Sequence, residues 1–317
     1  ALIYFKSILY IGSFIGIYIW LVFYTPSAAL AIPLTLLFGL MTAGIGFNVM
    51  HDGSHGTFSS SKTLNTLASW TLNLLGGSSF LWNIKHNMIH HTFTNVDGHD
   101  DDIMAEPLMR MSPQQKRRAI HRFQHVYSFF LYGFMYLGWV FFLDFKKYFR
   151  KQIAYKDNIN FPLRAHIGFW VTKVVYIGLF VILPLQVMPW TTWLIGYLTW
   201  VFTTGVIISV IFQLAHVTEQ TGFAEADENG MLEHDWAVHQ IKTTANFGSR
   251  SRVLSFITGG LNQQVEHHLF PKISHVHYPK LSPIVKATCE KHGLTYLEQP
   301  TFFHAVISHV RLLKRLG

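Results

Sequence analysis

Four stretches of this sequence are too long and too apolar for the surface of a soluble domain. Ser7 to Tyr24 is an apolar run of about 18 residues, and Ala28 to Met50 is a second of about 23 without a charged side chain. A helix needs roughly 20 such residues to cross the hydrocarbon core of a bilayer. Only Thr25-Pro26-Ser27 separates the two runs, so they read as a transmembrane hairpin. A second hairpin is expected with arms from His166 to Met188 and from Thr191 to Leu214, with Pro184 and Pro189 bracketing the turn. Lys173 falls near the start of its first arm, where a long side chain can snorkel to the interface. Gly12, Gly16, Gly39, Gly44, Gly46 and Gly205 suit close helix contacts. The composition agrees: 13% of residues are charged, about half the share in a typical soluble domain. A mean hydropathy of only +0.25 requires a large polar portion outside the lipid.

Charge placement sets the orientation. Neither hairpin turn holds a Lys or Arg; apart from Lys173, every one lies before the first run, between the second and third, or after the fourth. With four spans these segments share one face, and the positive-inside rule makes that face cytoplasmic. His125 to Phe145 is also apolar, but Lys116, Arg117, Arg118 and Arg122 precede it and Lys146, Lys147, Arg150 and Lys151 follow it. It reads as a helix lying in the interface or packed on the spans. Leu64 to Trp82, interrupted by Gly76-Gly77 and Ser78-Ser79, reads as a broken or re-entrant helix. The expected fold is all-α: an integral membrane protein of four transmembrane helices, in hairpins at about 7–50 and 166–214. A cytoplasmic helical cap is expected over about 51–165 and 215–317, with both termini cytoplasmic and 1–317 forming a single domain. The net charge of +8 fits anionic lipid or a phosphate-bearing substrate, and no nucleic-acid-binding motif is present.

Nineteen His residues outnumber the 17 acidic ones, and they cluster. The clusters are His51-Asp52-Gly53-Ser54-His55, then His86-Asn87-Met88-Ile89-His90-His91, then Gln264-Val265-Glu266-His267-His268. Helical residues four apart share a face, so each cluster can aim its imidazoles at one centre. All three clusters fall on the same side of the four-span topology, as a shared site demands. Imidazole suits iron, copper, zinc and nickel. Seven such histidines exceed the four ligands of a structural zinc site. The single Cys289 excludes a thiolate cluster, and the Glu-x-x-His pair of a carboxylate-bridged bundle is missing. A histidine-rich di-iron centre is the remaining reading.

The three clusters, with HNMIHHTFTNVDGHDDDI and GGLNQQVEHHLFP around them, resemble the membrane fatty-acid desaturases with three histidine boxes. The Gln at the head of the third box is similar to the branch that includes front-end desaturases. The resemblance implies an enzyme that uses dioxygen and two electrons at two iron ions to place a double bond in an acyl chain. It carries the metal ligands onto His51, His55, His86, His90, His91, His267 and His268, and adds His216 in QLAHV. His239, Gln264 and Asp52 are further candidates, as ligands or as groups that hold ligands. Asp100, Asp101, Asp102 and Glu266 are expected to accept ligand N–H groups, and Asn95 to support them or to make a turn. The chain lacks the His-Pro-Gly-Gly haem motif of a fused cytochrome b5. The implied partners are therefore a separate donor of ferredoxin or cytochrome b5 type, membrane lipids, and a fatty-acyl lipid or thioester substrate. Two other readings stay open: a histidine-box hydroxylase of alkanes, sterols or carotenoids, and a membrane metal carrier or sensor. The second is disfavoured because the spans hold almost no ionisable groups.

Overall fold

A computed structural model describes residues 2–317. Five helices in it are long and apolar enough to cross a membrane: Leu2–Tyr24 (α1), Ala28–His55 (α2), Ala119–Arg150, Leu163–Val187 and Trp190–His216. Four coincide with the expected runs. The fifth contains the 125–145 stretch expected to lie in the interface, and its span length leaves the four-helix count resting on topology rather than on length. Between α2 and that helix lie Lys62–Leu74 (α3) and a helix over 79–93 (α4). The expected break in 64–82 is real. Gly76 sits at φ +87° between α3 and α4, a backbone region that side-chain-bearing residues rarely adopt. The three long helices after α4 are α5 (Ala119–Arg150), α6 (Leu163–Val187) and α7 (Trp190–His216). Trp236–Thr243 (α8), Arg252–Ile257 (α9), Gln264–Leu269 (α10), Tyr278–Lys291 (α11) and Phe302–Leu316 (α12) complete the chain. The two strands, Asn246–Phe247 and Glu298–Gln299, form one short parallel pair.

The chain divides into two compact units. The first comprises Ala1–Trp82, Phe130–Lys151 and Asn158–Ser209. Its helices pack through aromatic rings and missing side chains. Phe14 stacks on Phe38 at 4.5 Å between ring centres, and Phe38 lies 5.0 Å from Trp200. A Cβ on Gly39 would stand 2.8 Å from the Thr203 side chain, and one on Gly205 would stand 2.6 Å from the Gly133 carbonyl. Gly44 likewise faces the Tyr10 ring, whereas a Cβ on Gly12, Gly16 or Gly46 would meet no other helix within 4 Å among the described residues. Large apolar side chains such as Ile8, Leu163 and Val174 face outward, the pattern of helices solvated by lipid.

Lys173 does not snorkel. It is buried, and its ammonium donates to the Gly76 carbonyl at 2.7 Å, the Val140 carbonyl at 2.8 Å and the Asp144 carboxylate at 3.1 Å. Asp144 also accepts the Ser78 N–H at 2.9 Å and the Trp139 indole N–H at 3.0 Å. The Tyr136 hydroxyl donates to the Leu75 carbonyl at 2.6 Å. The glycine turn between α3 and α4 is thus clamped by buried polar side chains, which supply hydrogen-bond partners to backbone groups shut away from water.

The second unit comprises Asn83–Phe129, Gln152–Asp157 and Val210–Gly317. Ile241, Val265, Val285 and Cys289 form an apolar cluster in it, so the single thiol belongs to packing. This unit carries the second and third histidine clusters and the end of α7.

Candidate metal centre

The second cluster departs from ideal α geometry in a useful way. Residues Asn83–His90 wind as a π-helix, in which residues five apart come onto one face. His86 therefore faces both His90, at 5.3 Å between ring centres, and His91, at 4.8 Å. His216 ends α7, and its ring lies 4.8 Å from that of His90 and 4.8 Å from that of His268. On α10, positions 264, 267 and 268 share a face, and His91 lies 4.6 Å from His267 and 4.5 Å from His268.

Within this unit the donor atoms form three groups, each with its members within 4.8 Å of one another: His90, His216 and His268; His91, His267 and His268; and His86, His90 and Asp102. Every histidine in them is buried. Several rings are held by one nitrogen. His90 Nδ1 meets Asp100 at 3.0 and 3.1 Å, and Asp100 is itself fixed by the Asn95 N–H at 2.9 Å and the Asp102 N–H at 3.0 Å. His268 Nδ1 meets the Gln240 carbonyl oxygen at 2.7 Å, which also accepts the Thr94 hydroxyl at 2.9 Å. His267 Nδ1 meets the Tyr278 hydroxyl at 3.1 Å, and His216 Nδ1 meets the Thr243 carbonyl at 3.4 Å. The opposite nitrogens tell the other half. Nε2 of His90 and Nε2 of His216 are buried with no hydrogen-bond partner among the described residues. A buried polar atom without a partner is costly, and two such atoms on rings that face each other fit a place where something binds. Convergent imidazole nitrogens fit a divalent first-row metal.

The same chain matches the family model for fatty acid desaturases over residues 27–300. The chain belongs to the fatty acid desaturase family. It is an oxidoreductase, and iron-dependent chemistry is general to that family. The sn-1 linoleoyl-lipid 6-desaturase of Arthrospira platensis is 36% identical over 285 residues, covering 89% of this chain and 77% of that relative. The sn-1 linoleoyl-lipid 6-desaturase of Synechocystis sp. (strain ATCC 27184 / PCC 6803 / Kazusa) is 38% identical over 291 residues, covering 89% and 79%. The acyl-lipid (8-3)-desaturase of Physcomitrium patens is 35% identical over 317 residues, covering 98% of this chain and 66% of that longer relative.

The remaining expectations for this desaturase divide. His51 and His55 belong to the first unit, both buried, on the last turn of α2 with rings 4.7 Å apart. Asp52 between them is buried too. Gln264 is buried, and its amide nitrogen has no hydrogen-bond partner among the described residues. His239 is buried but joins none of the donor groups found among the described residues. Burial lowers its pKa, against the opposing effect of a hydrogen bond with the Thr94 backbone.

Of the expected acceptors, Asp100 and Asp102 do meet His90, Asp102 at 3.4 Å. Burial opposes protonation of His90, yet these two carboxylates hold its pKa above the ordinary value. Asp101 and Asp102 both face Lys85, Asp102 at 2.5 Å. Glu266 does something else. It points off the 264/267/268 face and accepts Asn246 and Tyr296 at 2.7 Å each, and burial raises its pKa against those bonds. Asn95 is both things expected of it: at φ +57° it makes a turn, and its amide caps the His216 carbonyl at 2.6 Å. Sequence reasoning missed Gln240 and Tyr278. Gln240 adjoins a flagged histidine, but nothing in the spacing sets Tyr278 apart from the other tyrosines.

Proposed function

We propose that this chain is an acyl-lipid desaturase, placing a double bond in the acyl chain of a membrane lipid at a di-iron centre built from all three histidine clusters. The observation that carries the reading is the set of buried imidazoles anchored at Nδ1 with unpartnered Nε2 atoms opposite. Relatives named as acyl-lipid desaturases support the substrate class. The ligand set is His51, His55, His86, His90, His91, His216, His267 and His268. Gln264 and Asp52 act beside it, and His239 supports the site without binding metal. Iron, when bound, supplies the oxidant from dioxygen that an unactivated methylene C–H bond requires.

The chain's own residues do the rest. Asp100, Gln240 and Tyr278 fix ring orientation and keep the proton on Nδ1 of His90, His268 and His267, so that Nε2 is the metal-facing atom. The apolar helices exclude water and take up the acyl chain. Electrons arrive from a donor of ferredoxin or cytochrome b5 class.

Parity supports four spans. His90 and His216 meet in one unit, so an even number of the three long helices between them crosses the bilayer. Ala119–Arg150, with basic residues at both ends, is the one that stays on the cytoplasmic side. The family match runs through segments of both compact units, which supports one domain.

The test is metal content per chain in protein made with ample iron, followed by lipid profiling of cells expressing it. About two irons and new double bonds are expected. An alcohol in place of the double bond would make it a hydroxylase, and bound metal without oxygen uptake would make it a carrier.

A further inference from the structure

Two basic segments of the second unit meet on one face. Helix α12 turns Leu312, Leu313 and Leu316 inward. Its outer face exposes Phe303 and Ile307 in the first half and Arg311, Lys314 and Arg315 in the second. The helix packs against Ala119–Phe123, the turn that opens α5. Gln124 donates to the Leu313 carbonyl at 2.8 Å, and Arg110 donates to the Leu316 carbonyl at 2.9 Å. The α5 side of this junction exposes Arg118 and Arg122 beside Phe123 and Val126. The Arg122 guanidinium lies 5.5 Å from the centre of the Phe123 ring. Neither 107–143 nor 300–317 contains an Asp or Glu.

Neither plain alternative fits this mixture. A solvated basic face would not leave Val126 at 70% and Phe303 at 74% exposure among its charges. A face for an apolar partner would not ring its aromatics with cations. The headgroup zone of a bilayer accepts both: phosphates meet Arg and Lys, and the acyl boundary takes the aromatics. The face is also continuous with α5, one of the five helices apolar enough to enter a membrane.

We propose that α12 and the opening turn of α5 form an interfacial docking face for an anionic lipid surface. The face is separate from the histidine site and does not depend on the chemistry performed there.

The test uses the full chain in nanodiscs of phosphatidylcholine alone or with phosphatidylglycerol. Amide hydrogen exchange is followed in peptides covering 116–126 and 302–316. Protection of both peptides in the anionic discs, lost in high salt, is expected. Each cation held near an anionic surface contributes roughly a fivefold bias, so R311Q/K314Q/R315Q should lower the protection about a hundredfold. Unchanged exchange over 264–269 and unchanged iron content in that variant would show that the fold survives. Equal protection in neutral and anionic discs would overturn the proposal. So would protection in neutral discs produced by soluble glycerophosphate, which would mean a discrete phosphate site, or by an acidic electron-donor protein, which would mean a protein interface.

Discussion

Lys173 in the first unit and His90 in the second are both buried polar side chains. They differ in how completely they are satisfied. The Lys173 ammonium has three acceptors, and its partner Asp144 has two further donors. His90 is held firmly at Nδ1 by Asp100 and has no hydrogen-bond partner at Nε2 among the described residues. A closed network holds structure together, whereas a half-closed one facing other half-closed groups prepares a binding site. The contrast can be broken by experiment.

The largest effect is expected where the open nitrogens converge. His90→Ala and His268→Ala should each abolish desaturation and strip iron from the protein, because each removes a donor from a shared group. His239→Ala should keep its iron. Metal analysis of the three variants, purified side by side, checks this. Full iron in His90→Ala would mean that the open nitrogens are not ligands, and the contrast would fail at its root.

Next comes the closed network. Lys173→Met leaves the Asp144 carboxylate buried without its cation and should destabilise the protein by about 3–5 kcal/mol. Adding Asp144→Leu should recover most of that loss, because removing both charges also removes the desolvation penalty. Thermal unfolding in one detergent measures both. Iron content at low temperature should stay unchanged throughout, since this pair holds a turn and not a ligand.

The comparison also marks what was legible beforehand. The runs that became α1, α2, α6 and α7 announce themselves by length and hydropathy, because lipid permits little else. The three histidine clusters announce themselves by spacing. Lys173 was misjudged because its position along the run fits snorkelling, and the acceptors that hold it come from α5 and from a turn about a hundred residues away. Ala119–Arg150 is ambiguous for a related reason. Its hydropathy permits crossing while its flanking charges oppose it, and only the meeting of His90 with His216 bears on the choice. The π-helical winding of Asn83–His90 was invisible, since π and α turns use the same residue types. Sequence distance alone does not make the partners of the ligand rings legible: Asp100, an acid ten residues from His90, is expected, whereas Tyr278, 11 residues from His267, and Gln240, 28 residues from His268, are not.

An intermediate effect tests whether the closed half of the histidine site matters. Asp100→Asn keeps the shape but removes the charge behind His90, and can present an N–H where an acceptor is needed. Iron affinity should fall about 10–100-fold, the usual cost of losing such a partner. Competition with a chelator of known affinity gives the number. A change of less than about twofold would mean that Asp100 serves the 95–102 turn alone, through the backbone N–H groups of Asn95 and Asp102.

The smallest effect separates two tyrosines that flank the third cluster. Tyr278 reaches His267 Nδ1 at 3.1 Å, whereas Tyr296 reaches Glu266 at 2.7 Å and Ser282 at 2.8 Å. A hydrogen bond between neutral groups is worth about 1 kcal/mol, and one to a charged carboxylate about 1.5–3 kcal/mol. Tyr278→Phe should therefore weaken iron binding about fivefold and leave the unfolding temperature almost unmoved. Tyr296→Phe should do the reverse, because Glu266 belongs to the network that ties α10 to the short strand pair through Asn246. It should cost about 1–3 kcal/mol of stability at unchanged iron affinity. Two residues on one short helix, Glu266 and His267, would then answer to different tyrosines for different purposes. If Tyr296→Phe also released iron, the division between closed and half-closed networks would be wrong within α10 itself. Glu266 would then have to be counted among the groups that hold the site.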